Sequence, residues 1–226
     1  MASSAKAPLV GNIQGAALID LVIARVCDDP TCIAGLYGEL LPGRARPVPP
    51  DVLETLTFPG GKSLSPSLKR WLAFDASWLY DLGWFAAPDE FTFTPRPLDE
   101  IVEEEFGCWG DTVAPLDGRL QECFLLPRGT EAHRLYAVCE PDALGEYPVL
   151  VVETGDVPYV GIMYPGFDVF MADEAGLLHI ISSDDIDTCE ALFDDPRYAP
   201  RMKQHAAHLF RGKQGVECYD AEWDAP

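Results

Sequence analysis

Basic residues are scarce in this sequence. Its 226 residues hold 16 Lys and Arg against 37 Asp and Glu, a formal charge of -21. Binding a polyanion needs clustered Lys and Arg, so unaided contact with nucleic-acid phosphates is argued against. Attachment to anionic lipid is disfavoured on the same ground. Long apolar runs are missing too. The stretch Ala16 to Val26 is interrupted by Asp20 and Arg25 and falls short of the ~20 residues that a bilayer span needs. No apolar segment follows directly on Met1 to Lys6, so a signal peptide is not expected and a cytoplasmic location is.

Signatures of chemistry are equally thin. The cysteines, Cys27, Cys32, Cys108, Cys123, Cys139, Cys189 and Cys218, are odd in number, and no pair has zinc-knuckle spacing. Reduced core thiols are expected; a local Cys27–Cys32 disulfide is allowed by sequence but required by nothing. Gly60-Gly61-Lys62-Ser63 ends like a phosphate-binding loop, yet Leu56 stands where the motif needs a glycine and Pro59 precedes the pair. A turn leading into a helix at Ser65 is the plainer reading. His205 and His208 lie i,i+3 and could share a helix face, but a metal would need a further ligand such as His179 or Asp187. His133 is no better placed. No serine sits in a nucleophile elbow, and carboxylates are too many for a catalytic pair to be chosen. No catalytic residue, metal ligand or cofactor is assigned, and enzyme activity is not expected.

Apolar residues make up 48 % of the chain, enough for a substantial core. Ile13 to Cys27 reads as a helix, with Ile13, Ala17 and Leu21 in one row and Leu18, Val22 and Val26 in the next. Residues 42–50 hold four prolines and form an irregular connector. Ser65 caps a helix that opens on Pro66 and buries Leu68, Trp71 and Leu72. Leu98, Ile101, Val102 and Phe106 define another, whose outer face carries Asp99, Glu100, Glu103, Glu104 and Glu105. The period then changes. Leu120 to Leu126, Arg134 to Cys139, Val149 to Thr154, Tyr159 to Tyr164 and Phe167 to Met171 read as strands separated by short turn signals. Such turns leave no room for crossover helices, so neighbours pair antiparallel. Helices return after residue 181, one capped by Ser183 and the last beginning at Pro200 and ending at Gly212.

The expected fold is therefore α+β, an antiparallel meander of about five strands with helices packed on one face and at both ends. Residues 1–50 form an N-terminal helix and Pro-rich connector, 51–213 the main domain and 214–226 an acidic tail. The aromatics Trp71, Phe74, Trp78, Tyr80, Trp84 and Phe85 have core spacing, though Trp84 and Phe85, if exposed, would suit binding anchors. Two acidic runs, 99–105 and 184–195, contain no base; the second holds Asp184, Asp185, Asp187 and Glu190. The net charge exceeds the ~2–8 that solubility asks of a small domain. An acidic surface of this kind steers basic partners.

Two segments carry a family resemblance. Leu64-Ser65-Pro66-Ser67-Leu68-Lys69-Arg70-Trp71-Leu72-Ala73-Phe74-Asp75 resembles the opening helix of the SUKH (Smi/Knr-like) superfamily. Tyr147 to Thr154, followed by Val160 to Ala172 with its Pro165-Gly166-Phe167-Asp168, is similar to that superfamily's paired strands and the segment after them. The likeness covers roughly residues 50–195. It departs at Phe74 to Trp78, where the family often has Asn-Gly, and residues 1–50 have no counterpart. The resemblance implies a fold without catalysis. Many bacterial members are immunity proteins that bind and block a toxin, often a nuclease, and eukaryotic relatives are regulatory scaffolds. The expectation is a cytoplasmic immunity protein for a basic toxin, with no direct contact to nucleic acid or membrane. A regulatory protein-binding scaffold and a small-ligand binder or hydrolase built on the aromatic run and His205 or His208 are the alternatives.

Overall fold

Short turns between apolar runs build an antiparallel sheet here. The computed structural model describes residues 11–34, 45–87, 90–106, 116, 118–127, 132–153, 159–178 and 185–217. Strands β3 (Cys123–Leu126), β4 (His133–Ala137), β5 (Val149–Glu153) and β6 (Tyr159–Tyr164) pair in sequence order, and β7 (Gly215–Glu217) adds to β6. Phe124 faces Tyr136, Tyr136 faces Val149, and Leu150 faces Ile162. A second sheet is the hairpin β1 (Phe85–Ala87) and β2 (Glu90–Phe93). The helices are α1 (Ala16–Asp28), α2 (Pro50–Thr55), α3 (Pro66–Leu72), α4 (Ser77–Asp81), α5 (Leu98–Phe106), α6 (Phe167–Glu174), α7 (Asp185–Asp194) and α8 (Ala199–Leu209), with a 3-10 turn at Pro30–Ile33. The α+β expectation and its five-stranded meander hold.

The cover on the sheet is more complete than a single helical face. Successive residues of β4, β5 and β6 are buried, so both sides of these strands are occupied. Helix α6 packs on one side, where the Tyr164 ring meets Phe170 edge-on at 5.7 Å and its hydroxyl donates to Asp173 at 2.7 Å. Arg134 pairs with Glu174 at the end of the same helix. Helices α7 and α8 also lie against β6.

Phe167 to Met171 is helical, which corrects the fifth expected strand. Gly166 ends the extended chain, and Phe167 to Ala172 are buried on every side. A helix buried all round shows no amphipathic period, so its continuous apolar run cannot be told from a strand by pattern. The fifth strand is β7, inside the segment that the sequence marks as an acidic tail. There Gly161 faces Gly215. A Cβ on either would fall 2.3 or 2.4 Å from the Tyr159 hydroxyl, so the tyrosine ring fills the space above both glycines. Pro50 starts a helix the sequence reading missed, and Ser183 lies outside the described residues.

Helix α1 shares the main core. Its buried face, Leu18, Ile19, Val22 and Val26, packs on α3 and α6. Ser65 caps α3 as expected, accepting from the Leu68 N–H at 3.3 Å, with Pro66 at the first helical position. An aromatic cluster links the two sheets: Phe58 lies 4.9 Å from Phe93 and 5.6 Å from Phe124, and Trp78 stacks on Phe167 at 6.3 Å.

Candidate functional site

The acidic face of α5 follows from its pattern. Leu98, Ile101 and Val102 are buried, while Asp99, Glu100, Glu103 and Glu104 are exposed. Asp99 and Glu100 stand in the first turn, where a helix favours negative charge. The chain enters α5 along the edge of β3, through paired backbone bonds between Arg96 and Cys123. Arg96 then reaches Glu104 at 3.0 Å. The Glu105 side chain lies outside the described residues, as do Asp184 and the side chains of Asp185 and Asp187. Glu190 is exposed on α7. Because α7 packs at β6 and α5 is tied to β3, two strands separate their anchor points, and the two acidic runs are distinct patches.

Trp84 and Phe85 are not exposed anchors; both are core. Trp84 is 1 % exposed, stacks on Phe124 at 4.5 Å and donates its indole N–H to the Leu125 carbonyl at 2.6 Å. Phe85 stacks on Phe93 at 4.7 Å. Large aromatics at the start of a hairpin bury more apolar surface inside the aromatic cluster than they could at a rim. An open groove of about 570 Å³ does run beside Trp84, lined also by Asp81, Gly83, Thr94 and Leu125.

The candidate chemistry resolves in the same way. Gly60-Gly61-Lys62-Ser63 is a tight turn closed by the Phe58 N–H to the Lys62 carbonyl at 2.9 Å, and the Lys62 ammonium is bonded to the Cys139 carbonyl at 2.9 Å. His205 is fully buried and His208 exposed. Among the described residues no cluster of His, Cys, Asp or Glu is placed to hold a metal ion, and no helix is long and apolar enough to cross a membrane. Cys27, Cys32, Cys123 and Cys139 are free thiols; burial pushes Cys139 up to about 12.

The densest arrangement of charge is one that sequence reasoning missed. Arg201 on α8 is 5 % exposed and uses all five of its N–H bonds. Nε donates to Asp142; Nη1 donates to Gln14 at 3.0 Å and Asp168 at 2.9 Å; Nη2 donates to Asp168 at 3.0 Å and the Pro165 carbonyl at 3.2 Å. Asp168 also accepts the Gly15 N–H at 2.6 Å. Asp142 closes its own turn by accepting from Leu144 at 2.8 Å and Glu146 at 3.0 Å. Glu146 accepts from the Ser67 N–H at 2.9 Å and from the Ser67 hydroxyl. His205 Nε2 sits 3.1 Å from the Pro165 carbonyl and 3.7 Å from Asp142. Gly166 is required by this crowding, since a Cβ there would lie 2.5 Å from the Arg201 guanidinium.

Burial works to raise the Asp142 carboxyl, but His205 and Arg201 outweigh it and hold the group down at about 2. Glu146 moves the other way: desolvation, then the neighbouring Asp168 charge, push it up to about 7 against its Ser67 bonds. Asp168, an acid set in the apolar run Phe167 to Met171, was the sequence sign of a buried partner. This knot joins the segment before α1, the starts of α3 and α6, the Asp142–Glu146 turn and α8.

No family model matches the sequence, and no curated protein does. In fold the chain is similar to a crystal structure of an uncharacterized protein from Salmonella enterica subsp. enterica serovar typhimurium str. 14028s. The TM-score is 0.53 at 16 % identity, over 92 % of this chain and 98 % of that one. The likeness is one of fold, a mixed α+β architecture over nearly the full length of both chains.

Proposed function

We propose that this chain is an immunity protein of the SUKH type, acting without catalysis by binding and covering a basic protein toxin such as a nuclease. The observation that carries the reading is the exposed ridge Asp99, Glu100, Glu103 and Glu104 on a chain of charge -21. The buried face of α5 fixes that ridge in place, so the charges are presented on a preformed shape. Such a surface raises the encounter rate with a cationic partner and fixes its orientation. The SUKH-like segments, Leu64 to Asp75 and Tyr147 to Thr154 with Val160 to Ala172, support the same reading. Glu190 and its α7 neighbours offer a second contact patch. Trp84 and Phe85 take no direct part, because they are core.

The test is co-expression with a toxin gene adjacent in the source genome, scored by growth rescue and co-purification. Both are expected. Co-purification without rescue favours the scaffold alternative, and failure of both removes the proposal. Once a partner is in hand, exchanging Asp99, Glu100, Glu103 and Glu104 for Lys is expected to slow association at low salt by roughly 10-fold or more, with little change in melting temperature. The wild-type on-rate should fall steeply as salt rises to about 0.5 M, because screening shortens the range of the field. A salt-independent on-rate, unchanged in the variant, would assign the contact to another face.

A further inference from the structure

The buried knot holds three carboxylates, Asp142, Glu146 and Asp168, against the single guanidinium of Arg201. Arg201 spends its donors on Asp142, Asp168, Gln14 and the Pro165 carbonyl, so Glu146 is left with Ser67. An ionised Glu146 would therefore be a buried anion beside Asp168 with no cation of its own, an arrangement that costs free energy in proportion to its desolvation. Its surroundings are crowded from every side. Ser67 approaches from α3, Asp168 from α6, Arg201 and His205 from α8, Tyr136 from β4, and Asp142 from its own turn, with Tyr147 next in sequence. Gly166 packs on its stem and Gly15 beside its carboxyl. Tyr136 is driven far above its ordinary range by burial, and Tyr147 up to about 12, so neither changes charge near neutrality.

The element that carries Glu146 is a surface turn, joined to the knot through Asp142 and Glu146. Asp142 to Glu146 is a surface turn closed on itself, with Gly145 at φ 78° and Leu144 45 % exposed. Beyond Glu146 and Asp142 its further side-chain tie is the Ala143 N–H to Gln204 at 3.1 Å.

We propose that this turn is a proton-held latch: with a proton on Glu146 it closes over Ser67 and the Gly15–Asp168 contact, and on losing that proton it swings out and lets water in. Between about pH 4.5, where a solvated glutamate ionises, and about 7, the closed state holds a proton that the open state lacks. Closure is complete below that window and weakens as pH rises through it, by up to about tenfold per pH unit. Asp142 has the opposite sign. Its contribution is present above 3.8 and is lost as pH falls toward 2. The latch is thus tightest in mildly acid solution and loosens across the neutral range.

The experiment is amide hydrogen exchange on the full chain at pH 5, 6, 7 and 8, read as protection factors for Ser67, Glu146 and Gly15. Wild-type protection should fall roughly 70-fold from pH 5 to pH 8, while Glu146→Gln, which cannot ionise, stays flat over that range. The Glu146 carboxyl carbon, followed by NMR in the wild type, should titrate near pH 7 together with the protection loss, which keeps the test decisive if the variant folds poorly. Parallel protection profiles in the two proteins, or a Glu146 carboxyl that titrates below pH 5, would overturn the latch.

Discussion

Replacing Arg201 with methionine is expected to lower the unfolding free energy by about 3–5 kcal/mol, the loss typical of removing one partner from a buried ion cluster. Methionine keeps most of the side-chain volume, so little of the loss is cavity. What remains is a set of carboxylates with no counter-charge. Asp142 and Asp168 are each within hydrogen-bond reach of the guanidinium and are almost fully buried. Lysine will not rescue the site. Five donors in a planar fork meet Asp142, Asp168, Gln14 and the Pro165 carbonyl, whereas an ammonium has three donors on one atom. Urea titration at pH 7 gives the measurement. A double-mutant cycle with Asp168→Asn should show coupling above about 1 kcal/mol, because the two side chains share one network. A loss under about 1 kcal/mol for Arg201→Met would mean that water already reaches the knot.

Trp84→Ala is the second large effect, at about 3–5 kcal/mol. The indole stacks on Phe124 at 4.5 Å and on Tyr136 at 5.5 Å, and its N–H satisfies the Leu125 carbonyl. Alanine removes the ring contacts and leaves that carbonyl to solvent in the adjoining groove. Trp84→Phe should recover more than half of the loss, since most of the energy lies in the ring and the carbonyl can be hydrated. Equilibrium denaturation with an unchanged m-value is the expected observation. A near-neutral Trp84→Ala would restore the residue to the list of surface anchors.

The strands were the most legible part of the molecule. Val149 to Glu153 and Tyr159 to Tyr164 are apolar runs bounded by turn residues, and they pair as those signals say. The acidic face of α5 was legible for the same reason: Leu98, Ile101 and Val102 repeat at helical spacing with acids between them. Phe167 to Met171 was not, because a segment surrounded by core on all sides loses the period that separates helix from strand. Trp84 and Phe85 were ambiguous, since exposure is a tertiary property. The knot was invisible as a motif. Gln14, Ser67, Glu146, Asp168 and Arg201 lie on five segments with no fixed spacing, and only the fold brings them into one cluster.

That last arrangement has a kinetic side. The sheet is a meander of neighbouring hairpins, whose local pairings close quickly. The bonds from Gln14 to Arg197 and to Arg201 span 183 and 187 residues, and Gly15 to Asp168 spans 153. Loops of that size are entropically costly to close before the intervening chain is ordered. These long-range bonds are therefore expected to close late on the way to the native state and to open early. Gln14→Ala should accordingly speed unfolding while leaving the refolding rate nearly unchanged, and a chevron with a slowed folding arm would place that stitch in the nucleus instead. A nascent chain leaving the ribosome can pack α1 on α3 early, but it cannot close the bond between Gln14 and Arg201 until residue 201 has emerged.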